Sequence, residues 1–410
     1  MQSSDPGHLF QTTSQLAQSA NRQRKFKASE KVGEPINVSS KVLDLVVRGQ
    51  EGWTGESGFL ARRLDLRTGK TIRLYKSHQG PVTSIALHEI RNEDGTKWLA
   101  LFTGSWDKTI KIWNADSGEL LHTLESHVDF IKSLLTLPTT PLTLLSTSSD
   151  RTIKLWDLSS LSSSTSEKPR CEQTIKEHTR PVECSTLRLE VDTNGRPTGG
   201  ITVYTGDSLG SIKAWGWDGD QRKLVFREEL AAHETSVGGL AVVDEGIWSV
   251  SSDKTAIFHP FSPTSSSTSK PKIIHPSYVR SVLPIPEEFP LSQSLLLTGS
   301  EDEDIRIFDI DSIYESGPSS AAKAKGVIQG HCGDVTVLRA WFREENDGDG
   351  DGNRGWYVVS GGLDCTLRRW SVQDLLNPPV LDYEPEEEKE EVGLTEEEER
   401  ELAELMSDED

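Results

Sequence analysis

The chain has 410 residues, 34% of them hydrophobic, with eleven Trp, two Met and four Cys, and a net charge of −21. That length allows several average domains or one large closed β architecture. A net acidic balance argues against a generic nucleic-acid binder, and no apolar run approaches the 18 residues of a membrane span.

Taken from the N-terminus, residues 1–24 carry no charged head and no apolar run, so no signal peptide is expected and the segment reads as a disordered tail. Arg22 to Lys27 (RQRKFK) is a small basic cluster, either a solvated segment or a nuclear-import signal. The folded region is expected to span 25–381. It opens with VLDLVV (Val42 to Val47), and then one phrase recurs. A small-residue pair leads to an Asp turn, an alternating strand and an aromatic. The copies are TGSWDKTIKIWN (Thr103 to Asn114), STSSDRTIKLWD (Ser146 to Asp157), TGDSLGSIKAWG (Thr205 to Gly216), VSSDKTAIFH (Val250 to His259), TGSEDEDIRIFD (Thr298 to Asp309) and SGGLDCTLRRWS (Ser360 to Ser371). A weaker first copy is TGESGFLARRLD (Thr54 to Asp65). The terminal slot holds Leu64, Trp113, Trp156, Trp215, His259, Phe308 and Trp370. Strict alternation marks strands with one buried face, and Asp heads them where a tight turn is needed. Upstream of the last six copies a His precedes Val or Ile by four residues: His78, His127, His178, His233, His275 and His331.

This pattern resembles the WD-repeat family over roughly residues 36–375. The resemblance implies an all-β fold, a single seven-bladed β-propeller with flexible N- and C-terminal tails. It also implies a structural role for the six His, each joined in its blade to an Asp, a Ser or Thr and a Trp. On that reading Asp107, Asp150, Asp253, Asp302 and Asp364 are structural as well. Gly58 in blade 1 and Leu209 in blade 4 stand in the Asp slot, so these two blades are expected to lack the full network. Blades 1, 4 and 5 are expected to pack least regularly. Family members close the ring with a strand from one end of the chain. Here Lys25 to Val38 is the favoured donor and PVLDYE after Trp370 the competitor.

Long Ser-, Gly- and charge-rich insertions follow Asp157 and Ser312 and occupy 190–200, 262–272 and 345–355. By register all of them join strands a–b or c–d and so share one face. The opposite face carries only short d–a and b–c turns. There Trp106, Phe130 and Tyr278 are expected to face solvent without a core role, with Arg180 beside them, as partner-binding residues; aromatics and Arg dominate interface hot spots. Packing on neighbouring loops is the alternative.

Other motifs carry less. Gly206 to Gly210 fits G-x-S-x-G, but a strand follows where a nucleophile elbow requires a helix. Gly350, Gly352 and Gly355 fit G-x-G-x-x-G without a following helix. Asp347, Asp349 and Asp351 mimic half a calcium loop, yet Val358 stands where a bidentate Glu is required. Leu367-Arg368-Arg369 lacks the Gly of a phosphoinositide motif. The four Cys form no CxxC pair and are expected to be free thiols. No catalytic, cofactor or metal site is expected. From Asp382 to Asp410 sixteen acidic residues face only Lys389 and Arg400, which makes an acidic tail. Thr395 and Glu398 there form a capping box for a short helix, and Ser407 precedes Asp-Glu-Asp as in an acidophilic kinase site. The expected function is a non-enzymatic scaffold or adaptor in a multiprotein complex, cytoplasmic or nuclear, binding other proteins and neither nucleic acid nor membrane. The alternative is an escort or assembly factor that holds a basic protein or ribonucleoprotein with the tail.

Overall fold

In the computed structural model, the structure describes residues 13–162, 167–191, 197–261, 271–291, 294–316, 323–344 and 354–382. The chain divides into two compact units, residues 31–380 and residues 1–30 with 381–410.

The larger unit holds seven four-stranded antiparallel sheets. Blade 1 consists of Val42–Arg48, Glu51–Glu56, Leu60–Asp65 and Thr71–Lys76, strands a to d from the axis outward. Blades 2 to 6 repeat this order over 82–125, 131–175, 182–231, 237–274 and 279–328. Each strand a packs on strand a of the next blade, and that of blade 7 packs on that of blade 1, so the ring is closed. Blade 7 takes strands a to c from Val335–Arg343, Gly355–Gly362 and Thr366–Ser371. Its fourth strand is Ile36–Asn37, pairing Ile36 with Leu367 and Asn37 with Thr366. The Val38 amide continues the contact to the Cys365 carbonyl at 2.9 Å.

Radial stacking gives each sheet two neighbours, which is what lets a short sheet with two apolar faces exist in water. The seven terminal-slot residues are all buried, with Leu64 and Trp370 completely so. The cores lie between blades: Ile131 and Leu134 of blade 3 pack with Phe102 and Ile112 of blade 2. Every strand a also carries a register shift at its first residue, as between Val42 and Asp44 or Val82 and Ser84. A bulge repeated seven times at the rim twists each inner strand and re-aims its next side chain.

Two helices follow strand c in the last blades. Ile310–Ser316 opens the insertion of blade 6, part of a stretch expected as flexible loop. Val372–Leu376 starts from a capping box of Ser371 and Asp374. In the smaller unit Thr13–Ala28 is an α-helix, so part of the segment expected as a disordered tail is ordered. The reason is local: its sixteen residues contain Ala, Gln, Leu, Lys and Arg but no Gly or Pro, and Lys25 and Lys27 lie in the last turn, where cations favour the helix dipole. The basic cluster is the C-terminal part of this helix. The acidic tail's capping box and helix, and Ser407, lie outside the described residues, as do the three Asp of the calcium-like run.

Candidate functional site: the short-turn face

The b–c turns are built alike. Each holds one residue at positive φ: Phe59, Lys108, Arg151, Gly210, Lys254, Glu303 and Cys365. In most blades the turn is fixed from below by the predicted network. His78 places Nδ1 2.7 Å from Asp107 and Nε2 2.8 Å from Thr103, and the Trp113 indole donates to Thr103 at 3.0 Å. His127, Asp150, Ser146 and Trp156 repeat this in blade 3. His331, Asp364, Ser360 and Trp370 repeat it in blade 7. Burial opposes ionisation of Asp107, Asp150 and Asp364, but hydrogen bonds led by the His outweigh it and hold all three carboxyls well below the usual carboxylate range. Hydrogen bonds to a charged group contribute about 1.5–3 kcal/mol each, so the turns are rigid platforms.

Three blades depart from what the sequence suggested. Blade 4 has a complete network, because Asp207 does the work two residues before the expected slot: it lies 2.9 Å from His178, which reaches Thr205, as does the Trp215 indole. Leu209, in the Asp slot, is free to be exposed. Blade 5 is also complete, since His259 replaces the Trp and lies 2.8 Å from Ser249, the partner of His233, which itself meets Asp253 at 3.0 Å. Blade 6 is the irregular one. His275 does not reach Asp302, and neither ring nitrogen has a hydrogen-bond partner. Arg306 has taken Asp302 instead, with Nη2 2.7 Å from Oδ2. Asp304 stands where blades 2, 3, 5 and 7 have a Thr, and the Phe308 side chain has no N–H to offer. Burial, and then the nearby Arg306, push the His275 imidazole down from 6.5 to about 4.

His275 therefore makes a pH prediction. Unfolding lets it protonate near its ordinary pKa, so its contribution is complete above about pH 6.5 and is lost as pH falls toward 4. Between pH 7 and pH 5 the protein should lose about 2 kcal/mol through this group. His275→Leu should remove that part of the slope, read from urea midpoints at the two pH values. Equal slopes in both proteins would refute it.

Blade 1 has no His. Its turn is held by a buried pair: Arg62 Nε donates to Glu56 at 2.6 Å and Nη2 at 3.1 Å, and Thr54 and Ser40 donate to the same carboxylate at 2.9 and 2.7 Å. Glu56 and Asp207 both stand two residues after the Thr of a Thr-Gly pair, which is the signal that the Asp-slot register overlooked.

Above these networks the two turn series are brought together. In blade 2 the Trp106 amide donates to the Pro81 carbonyl at 3.0 Å. Ser149 to Phe130, Ser208 to Pro181, Ser252 to Ser236, Glu301 to Tyr278 and Leu363 to Asp334 repeat the bond, and Ser57 to Lys41 supplies it in blade 1. Trp106 is 41% exposed and Phe130 37%; their rings stack across the blade 2–blade 3 boundary, 5.0 Å apart and 20° from parallel. Tyr278 is 42% exposed, with the Lys254 ammonium 6.0 Å from its ring centre. Arg180 is exposed. The face thus carries all four proposed binding residues, but only Trp106 and Phe130 touch. Sequence reasoning overlooked Val128, Leu209 and Phe59, all strongly exposed on the same turns; the available signal was position, Val128 beside His127, Leu209 beside the turn Gly210 and Phe59 itself at positive φ.

The WD domain, G-beta repeat family matches residues 69–114 and 118–157. Together these cover the outer strand of blade 1, all of blade 2 and the three inner strands of blade 3. Those two repeats are WD repeats, carried on a seven-bladed propeller. Among similar proteins is an uncharacterized WD repeat-containing protein of Schizosaccharomyces pombe, 28% identical over 419 aligned positions and covering all of both chains. A pre-mRNA-splicing factor of Candida albicans is 35% identical over 32% of this chain and 31% of its own length. A nuclear distribution protein of Arthroderma otae is 30% identical over 61% of this chain and 38% of its own. This WD-repeat propeller therefore spans the whole fission-yeast relative but well under half of the other two.

The axis of the propeller is a channel of about 630 Å³ lined by polar and apolar residues of the inner strands. Its charges are paired: Lys132 with Glu183 at 2.9 Å and Arg339 with Asp44 at 3.3 Å. Burial raises the Asp44 pKa despite Arg339. The G-x-S-x-G match dissolves into WD-repeat architecture. Ser208 is the turn residue bonded to Pro181, Asp207 belongs to His178, and a strand, Ser211–Asp218, follows. Gly210 is required because its φ is +89 and a Cβ there would sit 2.1 Å from the His233 carbonyl. All four cysteines are thiols outside any disulfide. Among the described residues no group of His, Cys, Asp and Glu is arranged to hold a metal, and no helix is long and apolar enough to cross a membrane.

Proposed function

We propose that this WD-repeat propeller is a non-enzymatic scaffold or adaptor of a multiprotein complex, docking its protein partners on the short-turn face. The observation that carries this reading is the Trp106–Phe130 pair. Two large aromatics are stacked on each other in solvent, on turns whose geometry is already fixed by buried hydrogen bonds. A rigid surface loses little entropy on binding, and exposed aromatics on it are poor solubility choices but good anchors. Two relatives are named for different processes, pre-mRNA splicing and nuclear distribution, so their names select no single partner. The reading implies a cytoplasmic or nuclear protein with no direct hold on nucleic acid or membrane.

Trp106→Ala, Phe130→Ala, Arg180→Ala and Tyr278→Ala combined should leave the unfolding midpoint nearly unchanged, because each side chain is exposed. The combined variant should lose most proteins that the parent retains in affinity purification with quantitative mass spectrometry. A normally folded variant that keeps every partner would defeat the proposal.

A second reading has one feature behind it, the sixteen acidic residues of 382–410. On this reading the tail escorts a basic protein. Deleting 382–410 would then abolish binding to basic proteins at low salt while leaving the face intact.

A further inference from the structure

The short-turn face is not uniform in charge, and its aromatic pair lies in a basic arc. Lys108 and Arg151 occupy the positive-φ positions of the b–c turns in blades 2 and 3, with φ of 72° and 68°. Lys108 lies two residues beyond Trp106. Arg151 lies two residues beyond Ser149, whose amide is bonded to the Phe130 carbonyl. Arg180 sits on the d–a turn of blade 4, one blade step from Arg151, as Phe130 is one step from Trp106. All three cations are exposed, and none has an ion-pair partner among the described residues. Three carboxylates of these turns are engaged by their own blades. Asp107 and Asp150 belong to His78 and His127, and Asp129 accepts from the Phe130 amide at 2.8 Å. Val128, 75% exposed, extends the apolar surface beside Phe130. Blade 5 also holds a cation at this position, Lys254, but it lies against the Tyr278 ring, and blade 6 holds Glu303, so the turn itself does not impose basic character.

We infer that this arc recognises an acidic linear peptide segment bearing an aromatic or large aliphatic residue. The apolar side chain lies on Trp106, Phe130 and Val128, and the flanking carboxylates meet Lys108, Arg151 and Arg180. This deepens the docking reading above and rests on it. Charge complementarity selects the occupant: three unneutralised cations around an apolar anchor repel basic segments and leave neutral ones without a partner for the cations.

The test uses the full chain and fluorescence anisotropy with four labelled twelve-residue peptides: acidic with a central Phe, acidic with a central Ser, neutral with Phe, and Lys-rich with Phe. A twelve-nucleotide oligouridine is the fifth probe. The acidic Phe peptide is expected to bind, to weaken roughly tenfold or more from low to high salt as the exposed pairs are screened, and to be lost in W106A/F130A. K108E/R151E/R180E is expected to exchange this preference for the Lys-rich peptide. Glu at the blade 6 position shows that these turns accept it, and the parent's salt dependence tests the charge argument without any variant. A preference for the neutral or Lys-rich peptide that W106A/F130A removes would overturn the acidic assignment and leave the docking face standing. Stronger binding of oligouridine would replace the peptide by a single-stranded nucleic acid. Peptide binding that W106A/F130A does not change, or no peptide binding at all, would overturn the assignment, and the former would also count against the face.

Discussion

Glu56→Ala is expected to destabilise the propeller by about 3–5 kcal/mol, among the largest effects of any single substitution. Glu56 is completely buried and takes two hydrogen bonds from Arg62, one from Thr54 and one from Ser40. Truncation leaves the Arg62 guanidinium charged in a site only 7% exposed, with Ser39 and Thr71 as its remaining partners. An uncompensated buried charge costs more than the pair contributed, so Glu56→Ala with Arg62→Leu should be markedly more stable than Glu56→Ala alone. Urea unfolding of the two variants and the parent measures both. A loss below about 1 kcal/mol in the single variant would mean that this pair does not stand in for the missing His network.

Ile36→Asp should act at the other weak point, the seam of the ring, and cost about 4 kcal/mol or more. Ile36 is 5% exposed and packs with Val42, Leu64, Leu66 and Leu367, which come from both blade 1 and blade 7. Its blade is the one completed by a strand from elsewhere in the sequence, and only two residues long. The substitution removes apolar contact on both sides and places a carboxylate where no partner awaits it. The damage should be local first. Hydrogen exchange of Thr366–Ser371 should accelerate far more than that of Ile153–Asp157 in blade 3. Equal acceleration in the two strands, or none, would show that the seam does not limit stability.

The repeat was legible because its two requirements, an alternating strand and an acid at a tight turn, survive in most copies as plain letters. That was enough for seven blades and for the networks around His78, His127, His233 and His331. What the letters hid were substitutions of equal geometry. Asp207 and Glu56 reach the same space from two residues earlier, and His259 offers a ring nitrogen where Trp offers an indole. Blade 6 hid the opposite case. His275 and Asp302 stand in their proper slots, but Arg306 and Asp304 change the local charge balance and Asp302 turns to Arg306. A slot pattern records which residues are present and not which of them compete. The helix Thr13–Ala28 was hidden because a polar sequence without an apolar stripe looks the same whether helical or disordered, and only its propensity argued for order. On the short-turn face, exposure of Trp106, Phe130 and Tyr278 followed from register. The stacking of the first two did not, since it depends on two blades meeting.

The most direct measurement of the docking account is site-specific photocrosslinking from the intact chain. A benzophenone side chain at position 106 or 130 samples the short-turn face, and one at position 94, in the a–b turn of the same blade 2, samples the opposite face. The account predicts crosslinked partner proteins from 106 and 130 and little or none from 94. Partners captured from 94 while 106 and 130 stay bare would contradict it.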